Sequence, residues 1–149
     1  MFVERQRRTA NRDCFTIGGS TPRSTMERHR MLTGTCHCGA VRIEIPRRPR
    51  TLTSCNCSIC RRYGTLWAYY KAADVRIVSK AGATDKYSWG RKGLAFVRCA
   101  TCGCVTSWKR LKPRKVAYMG VNIRNFEPDD VDGIRVRHLD GAKTWKFLD

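Results

Sequence analysis

"GTCHCGAVRIEI", residues 34–45, sets two cysteines one residue apart, follows them with a glycine, and then alternates apolar with charged side chains. The alternation puts Val41, Ile43 and Ile45 on one face and Arg42 and Glu44 on the other, the period of a half-buried strand. Pro46 and Pro49 end it. Gly39 suits a tight knuckle, where the backbone takes positive φ and turns N–H groups toward sulfur. The stretch therefore reads as a cysteine knuckle feeding a strand. The same theme returns in "RCATCGCVTSWK" (98–109), with Cys99, Cys102 and Cys104, a glycine at 103, and a strand leading away. Between them lies "SCNCSIC" (54–60), with Cys55, Cys57 and Cys60.

Outward from these clusters the chain keeps to short β-type runs. "TLWAYY" (65–70), "DVRIVS" (74–79), "TDKYSW" (84–89), "GLAFVRC" (93–99) and "KVAYMGV" (115–121) read as further strands. "RVRHL" (135–139) and "TWKFL" (144–148) read as a terminal hairpin about Asp140-Gly141. Helical candidates are short: "SICRRYG" (58–64) and a turn at "EPDDVD" (127–132). Regular strands with turn signals at short intervals predict an all-β domain over residues 31–149. Residues 1–30 are polar and basic, without sustained period, and broken by Gly18-Gly19 and Pro22. They are expected to form a disordered extension. A natural start at Met26 or Met31 would place that extension upstream of the protein proper.

A chain of 149 residues suits one domain, which buries roughly 70% of its unfolded surface. No apolar run approaches the ~18 residues needed to span a bilayer. The N-terminal arginines are not followed by the apolar core of a signal peptide, so a cytoplasmic protein is expected. Nine cysteines, an odd number, fit thiolate metal ligands in a reducing compartment better than a disulfide framework. A disulfide between Cys36 and Cys38 would also have to close a very tight loop. The formal charge is +18, and residues 1–30 contribute only seven arginines against three acids. The positive field therefore belongs to the domain itself. It attracts anions: small carboxylates, phosphates or nucleic acid.

Zinc prefers cysteine sulfur in a tetrahedral array, and structural sites are closed by four protein ligands. Cys36-x-Cys38 and Cys99-x-x-Cys102, each followed by glycine, pair into one four-thiolate site. Cys55, Cys57 and Cys60 remain. Three thiolates and one open corner are the ligand count of a catalytic zinc. Three thiolates weaken zinc as a Lewis acid toward water, and the open corner then suits an incoming thiol. The chemistry expected is addition of a substrate thiol to an electrophilic carbon, or the reverse cleavage. Alternatively, Cys104 or His37 completes the central site and both zincs are structural. Cys104 could also be a small buried apolar residue. His29 and His138 have no ligand pattern, and Cys14 lies far from every cluster.

The string "GTCHCGAVRIEI…SCNCSICRRYGTLW…FVRCATCGCVTSW" resembles the glutathione-dependent formaldehyde-activating enzyme family, which also includes centromere protein V. The resemblance runs from about Leu32 to beyond Trp108. It implies a β-tent fold of small antiparallel sheets around zinc knuckles. It implies two Zn2+ per chain, one structural on Cys36, Cys38, Cys99 and Cys102, the other catalytic on Cys55, Cys57 and Cys60. It also implies a carbon–sulfur lyase that joins glutathione to formaldehyde as S-hydroxymethylglutathione, or acts on a related thiol adduct. Glutathione's two carboxylates call for cations, and Arg61, Arg62, Arg91 and Lys92 are candidates, each of which also reads as solvated surface charge. Trp67 and Trp108 are candidates for pocket walls or for core. The competing reading is a basic, zinc-stabilised binding or scaffold domain for nucleic acid or protein, without catalysis. Against nucleic acid, no recognition helix and no aromatic-cation strand face is visible.

Overall fold

The computed structural model describes residues 30–149. The expected N-terminal extension, Cys14 and His29 lie outside the described residues. Ten strands and two short helices run in the order β1 (Leu32–Thr35), β2 (Val41–Ile45), β3 (Thr51–Cys55), α1 (Cys60–Tyr63), β4 (Leu66–Lys71), β5 (Arg76–Ser79), β6 (Thr84–Tyr87), β7 (Leu94–Cys99), β8 (Val105–Arg110), β9 (Tyr118–Asn122), α2 (Pro128–Val131) and β10 (Arg135–Leu139). The fold is all-β, as the alternating runs predict. Among the described residues no helix is long and apolar enough to cross a membrane.

The strands form two sheets, β1-β2-β5 and β10-β3-β4-β9-β8-β7-β6. Two details depart from small antiparallel sheets. The second sheet has seven strands, and its β10–β3 edge pair is parallel. A parallel pair needs a long crossover. Here most of the domain lies between the two strands. β10 thus takes the place beside β3 that a terminal hairpin would have used for itself. Past β10 the chain does reverse at Asp140 and Gly141, but "TWKFL" contributes only the Leu139–Phe147 bridge rather than a strand.

Alternation along β2 and β4 builds the core between the sheets. Leu32, Ile43 and Ile45 from the small sheet meet Leu52, Ala68, Tyr70 and Val121 from the large one. Glu44, expected on the polar face, is buried all the same. β2 is the middle strand, and Arg42 (2.7 Å) and Arg76 (3.2 Å) close over the carboxylate from either side. β7 and β8 slip register between Val97 and Arg98, leaving Thr106 as the extra residue. The buried Thr106 hydroxyl donates to Val97 O at 3.2 Å, so the bulge keeps its polar atoms paired. The bulge lies just past the second knuckle, and the flanking Phe96 and Val105 pack in one cluster with the three cysteines.

Candidate functional site

The two knuckles share one geometry. Cys36 N donates to Val41 O at 2.9 Å and Gly39 N to Cys36 O at 2.9 Å; Cys99 N donates to Cys104 O at 2.9 Å and Gly103 N to Cys99 O at 3.0 Å. Gly39 and Gly103 sit at φ of 76° and 74°, left-handed backbone that a side chain would strain. Each knuckle joins two consecutive strands, β1 to β2 and β7 to β8. The four sulfurs of Cys36, Cys38, Cys99 and Cys102 lie within 4.8 Å of one another. The Cys36–Cys38 separation is 3.6 Å and Cys38–Cys99 is 3.5 Å. Tetrahedral zinc at ~2.3 Å from each sulfur gives sulfur–sulfur edges of roughly 3.8 Å, so the donor set fits that ion. The Val41 N–H, 3.3 Å from Cys36 Sγ, supplies a hydrogen bond to a ligand sulfur.

Protonation in this group is uneven. Backbone N–H groups of Cys104 and Cys38 pull the Cys102 thiol down to about 5. Cys99 is lowered as well, chiefly by the Cys102 N–H. The Ala40 N–H pulls on Cys38, but the Cys99 sulfur, burial and the other thiols outweigh it and push that group up to about 12. A cluster that holds some thiols ionised and others protonated suits a divalent cation that displaces the remaining protons.

Cys55, Cys57 and Cys60 form the second group, all buried and again within 4.8 Å of one another. Cys55 ends β3, Cys57 follows two residues later, and α1 returns Cys60 over Cys57 through the Arg61 N to Cys57 O bond at 3.2 Å. Gly64 at φ 60° closes α1 so that β4 can start. The buried Trp67 indole N–H donates to Cys60 Sγ at 3.3 Å. Burial pushes Cys60 up to about 12, partly offset by that indole and reinforced by the neighbouring sulfurs. Burial also raises Cys55. For Cys57 burial pulls the same way, but the N–H groups of Cys60 and Ile59 and the flanking thiols outweigh it and bring the group down.

A cavity of about 590 Å³ opens over these three sulfurs. Trp67 and Trp108 both line it, and Trp67, with 1% of its surface exposed, is core as well. Of the four candidate cations, Arg61 and Arg91 reach the cavity. Arg62 turns away to donate to Ser58 O at 2.8 Å. Lys92 is exposed in the turn closed by its N–H to Trp89 O at 3.1 Å. Among the described residues no further Cys, His, Asp or Glu joins the trio. Cys104 packs beside Cys36, Val41 and Cys99 instead. Its sulfur accepts from the His37 N–H, and burial with the Cys102 thiol raises its pKa. Both residues considered for the fourth corner therefore belong with the knuckles. His138 lies on β10, outside either sulfur group.

Sequence reasoning missed the C-terminal contribution. Gly141, read only as a turn residue, packs so close that a Cβ there would stand 2.5 Å from Cys55 Sγ. Asn56, between the first two cysteines, donates from Nδ2 to Asp140 Oδ1 at 2.9 Å and accepts from Ala142 N at 2.9 Å. The Asn56 bonds hold the Asp140 carboxyl below the usual carboxylate range, with help from Thr144. The spacing Asn–turn–Asp gives no signal before the fold brings residues 56 and 140 together. Trp89 and Trp145 on the cavity rim were likewise unread.

The sequence model of the family described as glutathione-dependent formaldehyde-activating enzyme matches residues 31–134. The chain belongs to this family. A crystal structure of a Rhodobacter sphaeroides protein, a structural genomics target, is similar at 32% identity and a TM-score of 0.58, over 70% of this chain and 99% of that one. Formaldehyde-activating family membership fits the pairing of two glycine knuckles with a separate cysteine trio. In this family member β10 and the Asn56-anchored turn lie beyond the matched stretch, yet they complete the wall of the trio's cavity.

Proposed function

We propose that the chain is a zinc-dependent thiol-adduct enzyme of the formaldehyde-activating type, forming or cleaving the carbon–sulfur bond of S-hydroxymethylglutathione or a related adduct. Cys36, Cys38, Cys99 and Cys102 hold a structural zinc, and Cys55, Cys57 and Cys60 a second one. The observation that carries this reading is the trio of buried sulfurs at the floor of an open cavity with no fourth protein ligand among the described residues. Zinc held there would supply an open corner and a lowered pKa for an arriving thiol. The apolar walls keep water from the reacting sulfur. In the forming direction the thiolate's electron pair makes the C–S bond to formaldehyde carbon. The carbonyl π pair moves to oxygen, which takes a proton; cleavage reverses each transfer. Tyr69 lines the cavity, and burial together with the nearby sulfurs raises its phenol above the usual range, while Thr53 pairs with it. A phenol keeps its proton at neutral pH, and Tyr69 lines the same cavity as the trio, which makes it the candidate donor for that proton.

The test is the rate of adduct formation from formaldehyde and a panel of thiols, glutathione and arylalkyl thiols included, against the spontaneous background. Wild type is expected to accelerate at least one thiol. Cys57→Ser falls to background, and Tyr69→Phe loses about 10²-fold. Equal rates for wild type and Cys57→Ser across the panel would end this reading. They would leave the basic scaffold, which the acid-free stretch from Lys86 to Phe126 favours.

A further inference from the structure

All four tryptophans of the chain line the cavity over Cys55, Cys57 and Cys60. They surround it at different depths. Trp67 is buried against the sulfurs, and Trp108 pairs with Tyr69 at 6.1 Å between centroids. Trp89 and Trp145, 50% and 70% exposed, stand at the mouth. Aromatic rings that large are seldom left this open on a surface without a partner. Two cations, Arg61 and Arg91, line the cavity, and no carboxylate does.

The backbone at the mouth is also unusual. Among the described residues, Lys92 and Trp145 are the non-glycine residues with positive φ, 49° and 58°. Each sits in a turn that brings a tryptophan to the rim. For a bulky side chain such a conformation is costly and persists only when its surroundings impose it. Here Trp145 N donates to Asp140 O at 2.8 Å, and Asp140 is itself held by Asn56 and Thr144. The turn that clamps the cysteine loop therefore holds the Trp145 backbone where its indole lines the cavity.

We infer that this site takes an arylalkyl thiol, or its hydroxymethyl adduct, bearing one anionic group, in preference to a tripeptide thiol. This rests on the proposed thiol chemistry for the sulfur end only. A flat ring satisfies four indoles through stacking and edge contacts. Arg61 and Arg91 supply the cationic partner for the ligand's carboxylate. Glutathione brings two carboxylates, an ammonium group and two peptide units into walls that are mainly apolar. Its ammonium meets two cations and no acid. A volume of about 590 Å³ accommodates a ring, a short alkyl chain and a sulfur with room for formaldehyde.

Sulfur-free probes separate this inference from the enzymatic reading. On the metal-loaded full chain, calorimetric titration compares 4-phenylbutyrate, 4-phenylbutyramide, hexanoate and S-methylglutathione. The acid with the ring is expected to bind about tenfold tighter than hexanoate and than S-methylglutathione. The amide binds several-fold more weakly than the acid, and the double change Arg61→Gln with Arg91→Gln removes that difference. Trp145→Ala weakens 4-phenylbutyrate about tenfold and leaves hexanoate unaltered, at unchanged zinc content. S-methylglutathione binding as tightly as 4-phenylbutyrate, or an unaltered affinity in Trp145→Ala, overturns the inference. If the probes bind as expected while no thiol is turned over, the lyase reading alone fails. If glutathione is turned over and 4-phenylbutyrate does not bind, the substrate class alone fails.

Discussion

A methyl group on Gly141 would stand 2.5 Å from Cys55 Sγ and 3.2 Å from Cys57 Cβ. Neither neighbour can yield, because Cys55 ends a strand and Cys57 begins the turn into α1. Gly141→Ala is therefore expected to expel metal from the trio while the knuckle site keeps its own. It should cost about 1–3 kcal/mol, the usual range for overpacking. Zinc per chain and chemical unfolding measure the two effects; full zinc retention would show that the loop gives way. The reason Gly141 escaped sequence reasoning is instructive. Asp-Gly is a turn signal wherever it stands, and close approach to a sulfur 86 residues earlier leaves no local trace. The cysteines, by contrast, announce themselves through spacing and through the glycines at 39 and 103, whose left-handed φ was read from the sequence.

At the scale of elements, β10 is held by its five-residue pairing with β3, and the turn that follows it is anchored by Asn56. Removing that side chain leaves Asp140 short of one donor and Ala142 short of its acceptor. Asn56→Ala is expected to cost about 1–3 kcal/mol and to speed exchange of the Ala142 amide ahead of the sheet amides. Uniform exchange across the domain would contradict a local clamp. The Asp140 carboxyl is lowered in the folded chain, so its contribution is complete above the ordinary value of 3.8 and fades as pH falls through the depressed one. The clamp should accordingly hold through neutral and mildly acid pH. Most strands were legible, because β2, β4, β7 and β8 alternate or carry β-branched and aromatic runs. β3 was not, since "TLTSC" is short and half polar and buries Leu52 and Thr53 only through β10 and β4 on either side.

For the whole molecule, the knuckle tetrad joins residues 61 apart in sequence and ties the small sheet to the large one. Closing so long a loop costs chain entropy, and a zinc ion bound by the four sulfurs would supply on the order of 10 kcal/mol. Cys99→Ser should therefore abolish the cooperative fold, seen as loss of near-UV circular dichroism. Cys57→Ser should keep it and drop zinc from two per chain to one. Loss of fold in both variants would mean that the trio is structural too. The two cysteine groups were readable from ligand arithmetic. Of the cavity's tryptophans, Trp67 and Trp108 were readable as candidate walls, but Trp89 and Trp145 were not, because they come from separate segments that only the completed fold brings to the same cavity.

The stretch shared with the family stops at residue 134, short of the turn that carries Gly141 and Trp145. The cysteine trio and one wall of its cavity thus come from different parts of the chain. Chains with the same cysteines but another turn after β10 would keep the sulfur cluster only where a residue as small as Gly141 still meets Cys55, while the position of Trp145 is free to vary and to change what the cavity admits.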